Sequence, residues 1–115
     1  MSIGVDVVDV ERFRTLVRRT PGLEGRFFTS SERHYCRNQA DPPVRFAGTF
    51  AAKEAVMKVL NLTPAPAWAR RIEILRASDG SPVARVDGRR VVVSVSHDGG
   101  IAVAAAMRDP NSAST

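Results

Sequence analysis

Residues 44–60, VRFAGTFAAKEAVMKVL, constrain this chain more than any other stretch. The run is rich in alanine and other strong helix formers, and no glycine or proline breaks its second half. Most of its side chains are small and apolar, so the helix must be largely covered on several sides. A sheet with one apolar face is the natural cover, and the second half of the chain reads as strands. RIEILRA (71–77), VARV (83–86), RRVVVSVS (89–96) and IAVAAAM (101–107) are β-branched or alternating. SDGSP is a turn, Asp87-Gly88 is a two-residue hairpin signal, and HDGG separates the last two strands.

The first half is mixed. IGVDVV (3–8) reads as a strand. In residues 9–19, Val10, Phe13, Leu16 and Val17 recur at helical spacing with arginines opposite, and Asp9 is placed to cap. PGLEG (21–25) breaks that helix, and Phe27-Phe28 is expected to enter the core. Thr29 and Glu32 have capping-box spacing and open a helix over 30–38. Asp41-Pro42-Pro43 precedes the long helix, TPAPAW (63–68) is a proline-rich loop, and the tail after Met107 reads as disordered. The expected fold is α+β: one strand and three helices, then hairpins in a mainly antiparallel sheet, as a single domain over 1–108 with a disordered tail at 109–115.

The chain has 115 residues, a size that buries roughly two-thirds of its unfolded surface in one core. It has a single cysteine, Cys36, which excludes an internal disulfide and a cysteine metal cluster. No run reaches the roughly 18 apolar residues of a membrane helix. MSIGVDVVDV has no basic n-region and carries aspartates in its apolar stretch, unlike a signal peptide. A cytoplasmic location is expected. The net charge of +5 suits an acidic or phosphate-rich partner without choosing between them. The seven aromatics do not interleave with basic residues, which argues against a base-stacking nucleic-acid surface. A nucleic-acid module therefore ranks low.

Four places could carry chemistry. Asp6 lies inside an apolar strand, where a carboxylate needs a partner; an exposed or arginine-paired edge position would also explain it. Glu54 and Lys58 share a helical face at i, i+4, as a surface ion pair or as a metal or proton site beside a phosphate-binding lysine. Ser96-His97-Asp98-Gly99-Gly100 ends a strand in a tight turn, either a plain hairpin or a phosphate-receiving corner. A hydrolase triad is excluded there, because consecutive side chains diverge and no nucleophile elbow exists. Arg12, Arg14, Arg18 and Arg19, with Arg26 beyond, form a face of one sign.

Together these blocks resemble a known family, the holo-acyl-carrier-protein synthases, which are small phosphopantetheinyl transferases. IGVDVVDVERF (3–13) resembles the family's opening G-x-D strand and its first helix. FAGTFAAKEAVMKVL (46–60) resembles its F-A-A-K-E-A helix, VSVSHDGGIAVAAA (93–106) its V-S-x-S-H block, and RFFTSSE (26–32) its connector. The resemblance spans roughly residues 3–107. It implies transfer of 4′-phosphopantetheine from coenzyme A to a serine of an acyl carrier protein, with release of adenosine 3′,5′-bisphosphate. It also implies Mg²⁺ and a homotrimer with active sites at its interfaces. By position, Asp6 and Glu54 would hold the metal, and Glu54 and Lys58 would be catalytic. Lys58, Ser96 and His97 would contact coenzyme A. Arg12, Leu16, Arg19 and Arg26 would meet the acidic carrier protein. Two departures are visible. Thr49 stands where many members carry arginine, so that a phosphate contact is either lost or supplied by Arg45, and the Val86–Arg89 hairpin replaces a longer segment. They motivate an alternative, a relative that binds coenzyme A or carrier protein without turnover.

Overall fold

In the computed structural model, which describes residues 3–62 and 66–111, β1 (Ile3–Asp9) leads directly into α1 (Val10–Arg19). Asp9 caps α1 by accepting from the Arg12 amide at 3.0 Å, as its position predicts. Three further elements precede the long helix's end: α2 (Leu23–Phe27), α3 (Ser30–Arg37) and α4 (Pro42–Val59). Thr29 and Glu32 close the full capping box of α3. The remainder is α5 (Pro66–Ala69), β2 (Ile72–Arg76), β3 (Pro82–Val86), β4 (Arg89–Asp98) and β5 (Ile101–Arg108).

All strands pair antiparallel in the order β1-β5-β4-β3-β2. The α+β expectation holds, and β1 occupies an edge beside the last strand of the chain. Alternation then decides the two faces. Gly4, Asp6 and Val8 of β1 face α4, with Ala102, Ala104 and Ala106 of β5 and Val91 and Val93 of β4. Among the described residues, no helix packs on the opposite face.

Several boundaries differ from the sequence reading. The break at 21–25 contains helix: Gly22 turns the chain at φ +80, and buried Leu23 starts α2. The long helix begins at Pro42, not residue 44, because Pro42 and Pro43 occupy its first two positions, where no amide donor is needed. The proline-rich segment read as a loop at 63–68 is helical from Pro66; residues 63–65 lie outside the described residues. Of the expected tail, residues 109–111 form a turn in which Asp109 accepts from the Asn111 amide at 2.9 Å, and residues 112–115 lie outside the described residues. The tight β3–β4 turn holds both Asp87 and Gly88 at positive φ, 50° and 79°, the two-residue hairpin geometry the Asp-Gly pair predicts.

The core lies between α4 and the sheet, where Ala51, Ala52, Ala55, Val56 and Val59 are all buried. Four phenylalanines close its other end: Phe28 contacts Phe13 and Phe46, and Phe50 contacts Phe13 at 5.2 Å between centroids. Phe28 is fully buried, and Phe27 packs against the core's edge.

Small residues let α4 lie flat on β1. A Cβ on Gly4 would stand 2.2 Å from the Ala55 carbonyl oxygen, which is backbone and cannot step aside. Gly4→Ala is therefore expected to lower stability by about 1–3 kcal/mol or more through overpacking, read as a lower urea midpoint. An unchanged midpoint would show that the helix can lift off the strand freely.

Candidate active site

Close approach of α4 to β1 assembles a cluster that neither element holds alone. Asp6 is half-buried on the helix side of its strand. Lys58, in the last turn of α4, donates to Asp6 Oδ1 at 3.0 Å and to the Val5 carbonyl at 2.8 Å. Lys58 thus pairs across to the strand instead of with Glu54 four residues back. Glu54 sits one turn before Lys58, half-buried. Burial raises its pKa above the ordinary carboxylate value, the negative charge of Asp6 raises it further, and Lys58 opposes both. Two acids 48 positions apart are therefore electrostatic neighbours, with one shared lysine.

They open onto a recess of about 470 Å³ lined by Asp6, Asp9, Arg12, Leu16, Phe50 and Glu54, among others. Its chemistry is divided. Its lining combines the carboxylates of Asp6, Asp9 and Glu54 and the Arg12 guanidinium with the apolar side chains of Phe13, Leu16 and Phe50. Arg12 and Leu16 continue into a neighbouring groove on α1 with Arg19. Arg26 is exposed on α2, separate from both.

Ser96 and His97 are placed differently. Both are exposed at the end of β4 and neither lines the recess. Strand alternation sends them to opposite faces: His97 lies on the α4 side with Val93 and Val95, and Ser96 lies on the open face beside its β5 partner Val103. Within one chain, Ser96 does not share a face with Lys58.

Of the two departures, the first lies inside α4. Thr49 is buried, donates to the Arg45 carbonyl at 2.9 Å and sits 3.5 Å from Cys36 Sγ. Its hydroxyl is spent inside α4 and cannot reach a ligand. Cys36 is buried, which pushes its thiol pKa up and leaves it unreactive.

Sequence reasoning missed Phe50 and Phe13 as parts of the site wall. Phe50 had a signal: it precedes Glu54 by four, so both lie on one stripe of α4. The shape of the recess around Phe13 depends on how α1 crosses α4, which no spacing reports.

The sequence model of the 4′-phosphopantetheinyl transferase superfamily matches residues 2–106, which include the strand that carries Asp6 and the helix that carries Glu54 and Lys58. The chain belongs to the holo-[acyl-carrier-protein] synthase family within it. It is 41% identical to the holo-[acyl-carrier-protein] synthase of Frankia alni over 90% of this chain and 92% of that protein. It is 39% identical to that of Chlorobium limicola, over 93% and 92%. Among solved structures, the fold matches the enzyme of Neisseria meningitidis with a TM-score of 0.82 at 25% identity, covering 94% of this chain and 97% of that one. It matches the Helicobacter pylori enzyme, solved in complex with coenzyme A, with a TM-score of 0.76 at 26% identity, covering 91% and 97%.

Proposed function

We propose that the chain transfers 4′-phosphopantetheine from coenzyme A to a serine hydroxyl of an apo acyl carrier protein, releasing adenosine 3′,5′-bisphosphate. The observation that carries this is the convergence of Asp6 and Glu54 in the lining of a recess walled by the first helix, with Lys58 bonded to Asp6. Membership of the family and the coenzyme A bound to the Helicobacter pylori relative support the substrate.

The carboxylate pair fits Mg²⁺. Among the described residues there is no cluster of three or more metal-ligating side chains, so an all-protein cage is not on offer. Magnesium instead takes one or two carboxylates and completes its shell with water and substrate phosphates. Asp6 and Glu54 line one recess with a single lysine bonded to Asp6, and the remaining negative charge is what a divalent ion would offset. Asp6 and Glu54 would hold it, and when bound it neutralises charge on the diphosphate being cleaved. Lys58, already reaching across to the strand, places its ammonium where non-bridging phosphate oxygens would gather. Glu54 takes the proton of the attacking serine, directly or through a water. Arg12, Leu16, Arg19 and Arg26 give the docking side one sign of charge with an apolar centre, which suits an acidic carrier.

The open sheet face supports self-association, which a trimer requires. Ile3, Val5 and Val7 of β1, Ile101, Val103 and Met107 of β5 and Val92 of β4 are all exposed there. A contiguous apolar face of this kind marks a contact surface. Ser96 lies on that same face. A coenzyme A site using both Ser96 and Lys58 is thus completed by a second copy, while His97 approaches from the helix side. Val103→Glu is expected to split the assembly into monomers by light scattering and to lose transfer with it. A parent protein that is monomeric at micromolar concentration would end this part of the reading.

No helix among the described residues is long and apolar enough to cross a membrane, and a cytoplasmic reaction is consistent with coenzyme A as the proposed substrate. Incubation of an apo carrier with coenzyme A, Mg²⁺ and the protein should add a phosphopantetheine mass by mass spectrometry. No gain across several carriers would count against turnover. Thr49, sealed in the helix, then favours the second reading, a relative that binds coenzyme A or carrier without transferring, seen as calorimetric binding alone.

A further inference from the structure

Lys53 is the other lysine of the chain, next to Glu54, and it points away from the recess. Its side chain is only 1% exposed. All three ammonium protons have acceptors: Glu32 Oε1 at 2.7 Å, the Phe27 carbonyl at 2.8 Å and the Ala69 carbonyl. Glu32 is equally satisfied. It accepts from the Thr29 amide at 2.9 Å and the Ile74 amide at 2.7 Å. One buried charge pair therefore ties α4 to the α2–α3 junction, to the end of α5 and to β2.

The tie at Phe27 has a consequence for docking. Phe27 follows Arg26, and its ring packs on Phe50 at 5.5 Å between centroids. Phe50 in turn lines the recess four residues before Glu54. Lys53 holds the backbone of the segment that carries Arg26 to the same helical turn that carries Glu54. We infer that Lys53 is a positioning residue that sets the carrier-docking segment at Arg26–Phe27 against the Glu54 carboxylate. This rests on Arg26 being a carrier contact. Lys53 touches neither substrate.

The test compares the parent, Lys53→Met and the double variant Glu32→Gln/Lys53→Met, which leaves no stranded charge. Kinetics are run with varied apo carrier at saturating coenzyme A, and the reverse. In whichever variant folds, the carrier KM should rise about tenfold through misplacement of the docking segment. The coenzyme A KM should stay within about twofold, because that substrate does not use the Arg26 segment. A folded variant with the parent's carrier KM overturns the inference, as does a change confined to the coenzyme A KM. Failure of both variants to fold also overturns it, because Lys53 would then serve the whole fold and not docking. A parent that transfers nothing instead overturns the functional reading itself, and so separates the two failures.

Discussion

Glu54→Gln is expected to abolish transfer, by at least about a thousandfold, while the protein folds as well as the parent or better. In the proposed mechanism the loss combines two roles, since an amide neither takes the serine proton nor supplies charge to a divalent ion. The gain in stability follows from the electrostatics of the site. Burial first, and the charge of Asp6 second, raise the folded pKa of Glu54 above its unfolded value near 4.5. Folding thus favours the protonated carboxyl. Its stabilisation is complete below the unfolded pKa and is lost as pH rises through the folded pKa. Glutamine keeps the neutral state at every pH. Thermal midpoints measured in chelator should therefore favour the variant near neutral pH, and the advantage should shrink as pH falls into the carboxylate range. Retained turnover would remove Glu54 from the mechanism. A variant less stable than the parent at neutral pH would show that Glu54 makes structural contacts outweighing its burial.

Lys53→Met is expected to be strongly destabilising. Methionine fills the same volume but leaves Glu32 buried as an anion with only two amide donors. Breaking a buried pair from one side costs about 3–5 kcal/mol. Total stability for a domain of this kind is about 5–15 kcal/mol, so the loss is a large share of it. Burial pushes the pKa of Glu32 up and that of Lys53 down, and each partner's charge opposes the shift of the other. The paired state is therefore held by the pairing, and Lys53→Met frees Glu32 to protonate. The stability deficit should narrow at mildly acidic pH, where a neutral Glu32 no longer needs its counterion. The double variant Glu32→Gln/Lys53→Met should recover most of the loss in urea unfolding, since removing both charges of a buried pair is often close to neutral. A single variant within about 1 kcal/mol of the parent would mean that water reaches the pair and screens it.

Much of the fold could be read in advance, for local reasons. The cap at Asp9, the capping box at Thr29 and Glu32 and the Asp-Gly hairpin each depend on residues within three positions of one another. The strands were visible because alternation follows from backbone geometry. α2 and α5 were not visible. They span five and four residues, too few to show a period, and contacts from elsewhere hold them, such as Lys53 on the Ala69 carbonyl. The ion pair expected within α4, Glu54 with Lys58, gave way to Lys58 with Asp6 because α4 lies close on β1 at Gly4.

The sequence by itself determined which side chains are available and which element carries each. It placed one acid on the first strand, an acid and a lysine one turn apart on the long helix, and arginines of one sign on the first helix. The tertiary structure alone decided that β1 pairs with β5 at the sheet edge and meets α4 there, which joins Asp6 to Glu54 and Lys58. It also decided that Lys53 turns inward to a wholly buried partner and that His97, not Ser96, takes the face on which α4 lies. Spacing along a chain fixes direction only within one helix or strand. Which surfaces meet depends on packing energies summed over the whole core, and no short window of residues contains that sum.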